Sequence, residues 1–281
     1  MFKGGQVMKL LKRIGAVALA AVVVVGSTFV ANPKESYAAT SCKKVLQLDR
    51  TYKYDIDGDG DLDSIRVYTY KCNLIIKVNK CMKILFNAYD YDYDFINECT
   101  IKIYDFNKHD KSKEIFFEWV GPSDGEIRIL KFKNNTCKVN RKFKGNVGGE
   151  LKYYDPNTGI VTFVESTSGR YSKFEQSIGD VICYPKVKIN GYTITNQTTA
   201  NTDSYVRRNK YIAAKKLTAY TSTRGTKRAF TISKGSPAYI YALYQKGNTR
   251  YVQVKNKYGK YGYIKAGSTL LFERNSCLWM Q

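Results

Sequence analysis

Asp55-Ile56-Asp57-Gly58-Asp59-Gly60-Asp61-Leu62-Asp63 places five carboxylates at every second position, with glycines between the central ones. A hard divalent cation gathers about six to eight oxygens around one point, and acids on a loop that glycine lets curl inward supply several of them. Without a cation, five negative charges in so short a stretch repel one another. The competing reading is a plain solvated acidic turn. Ser64-Ile65-Arg66-Val67-Tyr68-Thr69-Tyr70 follows, with Ile65, Val67 and Thr69 alternating against Arg66, Tyr68 and Tyr70. That is strand periodicity in β-branched and aromatic residues, so the loop leads straight into a strand.

An EF-hand loop requires a bidentate Glu at its twelfth position. Counted from Asp55 that position is Arg66, which excludes an EF-hand. The stretch instead resembles the Asp-x-Asp-x-Asp-Gly-x-x-Asp calcium loop of the FG-GAP/VCBS repeat family, matching at Asp55, Asp57, Asp59, Gly60 and Asp63. The resemblance implies that Ca2+ is the ion and that Asp61 contributes its backbone carbonyl.

A second copy begins at Asp105. Asp105-Phe106-Asn107-Lys108-His109-Asp110-Lys111-Ser112-Lys113-Glu114 repeats the opening Asp-x-(Asp/Asn) and the closing pair of acids, Asp110 and Glu114 answering Asp59 and Asp63. An apolar strand, Ile115 to Val120, again follows. Two loops with the same order of parts indicate an internal repeat. Asp105, Asn107, Asp110 and Glu114 form a weaker second candidate site, with fewer carboxylates and three lysines among them. A third echo, Asp155-Pro156-Asn157-Thr158-Gly159, lacks a following acid and reads as a hairpin turn.

Lys9, Lys12 and Arg13 precede an apolar run from Ile14 to about Val25, and Ser36-Tyr37-Ala38 offers small residues for cleavage. Residues 1–38 therefore read as a secretion signal. The run is short for a bilayer span, so no transmembrane segment is expected after its removal. A secreted or extracellular location follows as an expectation, with cell-wall association as a further one. All seven cysteines lie beyond residue 38. Outside the cytosol some should pair, and an odd number leaves at least one over.

The net charge is +22, and residues 186–281 hold 18 Lys and Arg against only Asp203 and Glu273. Residues 39–185 are close to neutral. Such asymmetry predicts a C-terminal region that seeks an anionic partner. Residues 186–210, rich in Thr, Asn and Gln, read as a linker. From Tyr211 short strands resume, separated by turns at Arg224-Gly225, Lys234-Gly235-Ser236-Pro237 and Lys246-Gly247-Asn248. Phe230-Thr231-Ile232-Ser233-Lys234-Gly235, Tyr251-Val252-Gln253-Val254-Lys255 and Tyr258-Gly259-Lys260-Tyr261-Gly262-Tyr263-Ile264 resemble the bacterial SH3-like domain, with Tyr251 where a Trp is common. The resemblance implies attachment to the cell envelope, through anionic cell-wall polymer or peptidoglycan. Tyr239, Tyr241, Tyr251, Tyr261 and Tyr263 are candidates for a stacking surface; tyrosines in strands more often pack as cross-strand partners.

His109 is the one histidine, so any Ser-His-Asp or Cys-His arrangement would have to use it. Asp90, Asp92 and Asp94 alternate in Tyr89-Asp90-Tyr91-Asp92-Tyr93-Asp94 and could serve a carboxylate-based glycan hydrolase.

The expected fold is all-β: a blade-like antiparallel repeat domain over 39–185, a linker over 186–210, and an SH3-like small barrel over 211–275. The expected role is non-catalytic calcium binding and envelope adhesion. Nucleic acid or another polyanion is the alternative partner, made less accessible by export.

Overall fold

The computed structural model describes residues 42–87, 98–120, 125–145, 150–167 and 172–278, and strands dominate them, giving the all-β class expected from the alternation. The chain opens with a short strand β1 (Lys44–Val45). A meander of β2 (Thr51–Tyr54), β3 (Asp63–Tyr70), β4 (Asn73–Val78) and β5 (Cys81–Asn87) then forms a four-stranded antiparallel sheet. Two-residue turns join its last three strands, and Lys71 (φ 46°), Cys72 (φ 56°) and Asn79 (φ 52°) take the left-handed conformations that match strand twist in tight hairpins.

The second sheet repeats that plan with β6 (Cys99–Tyr104), β7 (Glu114–Val120), β8 (Gly125–Lys133) and β9 (Thr136–Gly145), and β1 pairs with its outer edge at β6. The third contains β10 (Leu151–Asp155) and β11 (Ile160–Phe163). The chain then leaves it through β12 (Glu165–Ser166), helix α1 (Ser172–Ile178) and β13 (Ile182–Tyr184), and returns to complete it with β14 (Lys186–Asn190) and β15 (Thr193–Asn196). The named strands of these three sheets pair antiparallel throughout.

The second sheet is the middle layer. Ile101, Ile103, Ile115, Phe117, Trp119, Leu130 and Phe132 pack against Ile65, Val67, Leu74, Ile76 and Phe86 of the first sheet. Its other face, with Tyr104, Phe116, Ile127, Ile129 and Phe143, packs on Val161, Phe163, Val187 and Ile189 of the third. Burial on both faces explains why Ile115-Phe116-Phe117 is a continuous apolar run. Each such side chain contributes roughly 1.5–3 kcal/mol.

Residues 186–210 are not a linker. β14 and β15 finish the third sheet, while β16 (Thr199–Thr202) and helix α2 (Ser204–Arg208) join the C-terminal sheet. Most of their Thr and Asn face outward, whereas Val187, Ile189, Ala200, Thr202 and Val206 are buried. A boundary at 185 therefore falls between two paired segments.

The fourth sheet adds β17 (Tyr211–Ile212), β18 (Leu217–Tyr220), β19 (Arg228–Ile232), β20 (Pro237–Lys246), β21 (Thr249–Asn256) and β22 (Tyr261–Lys265) to β12, β13 and β16. The small barrel expected over 211–275 does not close among the described residues. β16 and β17 occupy the edge of β20, and β19 pairs with β18 alone. Phe174, Ile178, Cys183, Tyr211, Val252, Val254, Phe272 and Cys277 belong to its core.

Candidate metal centre

Three loops occupy the same place in the first three sheets, each joining the first strand to the second: 55–62 between β2 and β3, 105–113 between β6 and β7, and 156–159 between β10 and β11. They also lie against one another. The Lys113 N–H donates to the Ile56 carbonyl (2.8 Å) and the Lys108 N–H to the Pro156 carbonyl (3.0 Å). His109 Nε2 donates to the Asn157 carbonyl (2.9 Å), so the one histidine ties the second loop to the third.

In the first loop, Asp55, Asp57 and Asp63 each turn one carboxylate oxygen inward, and these oxygens lie within 4.8 Å of one another. The loop curls because Gly58 (φ 78°) and Gly60 (φ 99°) take left-handed backbone conformations. Asp55 accepts from the N–H groups of Gly58 (2.7 Å) and Gly60 (3.2 Å). Asp57 accepts from the Asp59 N–H (3.3 Å) and from the Asn134 N–H in the β8–β9 turn (2.9 Å). Asp63 accepts from the N–H of buried Ile56 (3.0 Å) and from Asn79 Nδ2 (2.5 Å). The side chains of Asp59 and Asp61 are exposed and lie outside the inward-facing trio. Among the described residues none of the five meets a lysine or arginine within ion-pair distance. Like charges 4 Å apart repel by about 4 kcal/mol at an effective dielectric of 20, less where water reaches them. An all-carboxylate donor set of this kind fits a hard cation such as calcium or magnesium, not a softer transition metal.

The second loop has the same frame with a different charge balance. The Phe106 N–H donates to Glu114 Oε2 (2.8 Å), as Ile56 does to Asp63. The His109 N–H donates to Asn107 Oδ1 (3.1 Å), as Asp59 does to Asp57. Here, however, ammonium groups reach the acids: Lys131 contacts Asp110 (3.1 Å) and Glu114 (2.6 Å), and Lys113 contacts Asp105 (3.1 Å). Asp105, Asn107, Asp110 and Glu114 are thus brought to one loop with lysines among them. Burial pushes the Glu114 carboxyl above its ordinary range, and the Lys131 ammonium and the Phe106 N–H partly offset that rise. The third loop is a turn held by Asp155, which accepts from the Asn157 N–H (2.9 Å) and the Thr158 hydroxyl (2.7 Å). Those bonds, the Thr158 hydroxyl first, hold its carboxyl below the usual value.

Sequence reading missed Asn79, Asn134 and Lys131. The two asparagines sit at left-handed positions of tight turns (φ 52° and 48°), a signal that marks a turn but not a partner for Asp63 or Asp57. Asp90, Asp92 and Asp94 lie outside the described residues, as does the expected signal at 1–38.

Tyr239, Lys255 and Tyr261 align across β20, β21 and β22, beside Gln253, Tyr263 and Tyr220 in the next row. Tyr241 meets Tyr261 edge-on at 4.9 Å between centroids. Lys255 Nζ lies 5.6 Å from the Tyr241 ring and 5.8 Å from the Tyr261 ring, and the Arg207 guanidinium lies 5.7 Å from the Tyr241 ring. Burial and the neighbouring Tyr241 hydroxyl push the Tyr261 phenol up to about 12. Tyr251, expected among these, is buried instead. Arg207 and Lys255 have no carboxylate partner among the described residues.

No family model, curated protein or solved structure matches this chain.

Proposed function

We propose that the protein is a secreted, non-catalytic binding module, braced by one calcium ion in the first loop and attached to anionic cell-wall polymer through its C-terminal sheet. The observation that carries the metal reading is the convergence of Asp55, Asp57 and Asp63, with no ammonium within ion-pair distance of them among the described residues. The same frame one sheet further on meets two lysines. Asp55, Asp57 and Asp63 would hold the ion by their side chains, with Asp59 and Asp61 as the outer residues of the loop. The ion would neutralise the trio and fix the β2–β3 connection; affinity on the order of 10⁻⁴–10⁻³ M suits an extracellular module.

The polymer reading rests on the row of Tyr239, Tyr241, Tyr261 and Tyr263 with Arg207 and Lys255 among them, in a region of 18 Lys and Arg against two acids. Tyrosine faces stack on sugar rings while cations hold phosphates or carboxylates. No helix among the described residues is long and apolar enough to cross a membrane. Deleting 211–281 would strip β16 of its partner β20, so point variants are the cleaner test. Purified cell wall should retain the full chain and release Lys255→Glu/Tyr261→Ala at lower salt. Equal retention of both ends this reading, and steep salt-dependent binding to DNA with none to wall polymer replaces it with a nucleic-acid partner.

A further inference from the structure

We infer that Lys131 is the resident cation of the second loop, which therefore stays closed without metal and leaves the first loop as the single divalent site. The inference extends the calcium reading of the first loop, but its evidence is local to the second.

Lys131 lies on β8 in a strand buried on both faces, and its side chain is completely shielded from solvent. A buried ammonium is costly unless carboxylates and hydrogen bonds surround it. Three carboxylate oxygens do so: Glu114 Oε1 at 2.6 Å, Asp110 Oδ2 at 3.1 Å and Asp110 Oδ1 at 3.2 Å. The Tyr192 ring, 5.6 Å away, covers another side. Oxygens from two carboxylates thus converge on one point with a positive charge at its centre, which is a cation site whose occupant is covalently part of the chain.

The comparison with the first loop explains why this arrangement arose there. Glu114 and Asp63 each begin a strand, and each spends one oxygen closing its loop on the N–H of a buried apolar residue, Phe106 or Ile56. The second oxygen of Asp63 meets the neutral amide of Asn79, whereas that of Glu114 meets Lys131. With Lys113 on Asp105 as well, the second loop sets two ammonium groups against three carboxylates. The first loop, among the described residues, sets none against five. The first loop therefore leaves its carboxylates open to a metal ion, whereas the second meets its own with lysines.

The test is calorimetric titration of the full chain with calcium alone, together with thermal melts in chelator and in excess calcium. Wild type should bind one ion, and Asp57→Ala none; a site that survives Asp57→Ala, or two sites in wild type, overturns the inference. Lys131→Met should melt roughly 10 °C lower in chelator. Calcium should recover much of that loss and the stoichiometry should rise by one, because Glu114 and Asp110 then face a divalent ion. A Lys131→Met chain whose calcium response equals that of wild type overturns the inference too. Lys131→Met/Glu114→Gln removes the two fully buried charges and leaves only the partly exposed Asp110 carboxylate, so it should fold and melt near wild type with no added site; an added site there counts against it. If wild type binds no calcium, the first-loop reading fails, while Lys131→Met still decides the second.

Discussion

The backbone N–H of Phe106 donates to Oε2 of Glu114 at 2.8 Å, so the first residue of a strand closes the loop that leads into it. Asp63 closes the preceding loop on Ile56 in the same way. The third loop has Pro156 at the corresponding position, which carries no N–H, and no acid begins β11 there. Asp63→Ala should therefore strand a buried donor and cost about 1–3 kcal/mol in urea unfolding even in chelator. A cost seen only when calcium is present would show that Asp63 acts through the ion alone.

Glu114 also sets a pH dependence. Burial raises its carboxyl above the ordinary value of about 4.3, so across the window between the two values the native state keeps a proton that the unfolded chain releases. The folded state then binds more protons, and stability falls as pH rises through that window. Glu114→Gln should flatten this limb in urea midpoints collected from pH 4 to 8. Parallel profiles for the two proteins would contradict the assignment.

Gly58 and Gly60 separate two contributions to the first loop. Both have positive φ, but a Cβ on Gly58 would sit 2.5 Å from the backbone carbon of Lys111, whereas a Cβ on Gly60 meets nothing within 4 Å. Gly60→Ala should cost about 1 kcal/mol from backbone strain alone. Gly58→Ala should cost clearly more, because the second loop must move away. Equal unfolding midpoints would mean that the two loops do not depend on each other.

Asp203 caps α2 by accepting from the Tyr205 N–H at 2.7 Å, and it also accepts from the Tyr184 hydroxyl. Burial pushes its carboxyl up, but those bonds outweigh that and leave it lowered. The stability it provides is present above the ordinary carboxylate value and is lost as pH falls through the depressed one. Asp203→Ala should cost about 1 kcal/mol near neutrality, and the difference from wild type should shrink in acid. A constant difference down to pH 2 would rule out this linkage.

The alternating acids at 55–63 and the strand after them were legible because a period of two is visible locally. The second loop was legible as a copy of the first. Lys131 was not: a lysine in Ile129-Leu130-Lys131-Phe132 looks solvent-facing until the strand proves to be buried on both sides. The segment 186–210 misled because its apolar residues are sparse and its pairings reach far along the chain, Ala200 to Leu243 for example. Tyr251 misled for a related reason. It follows the turn that joins β20 to β21, yet its ring lies inward with its hydroxyl beside Gly225. Sequence periodicity gives a face to each strand but not the neighbour that covers it.

Isothermal calorimetry of the purified chain with calcium addresses the central claim most directly. The account predicts heat from a single site with a dissociation constant on the order of 10⁻⁴–10⁻³ M, abolished by Asp57→Ala. A flat trace for the wild-type chain, or an unchanged one for Asp57→Ala, would contradict it.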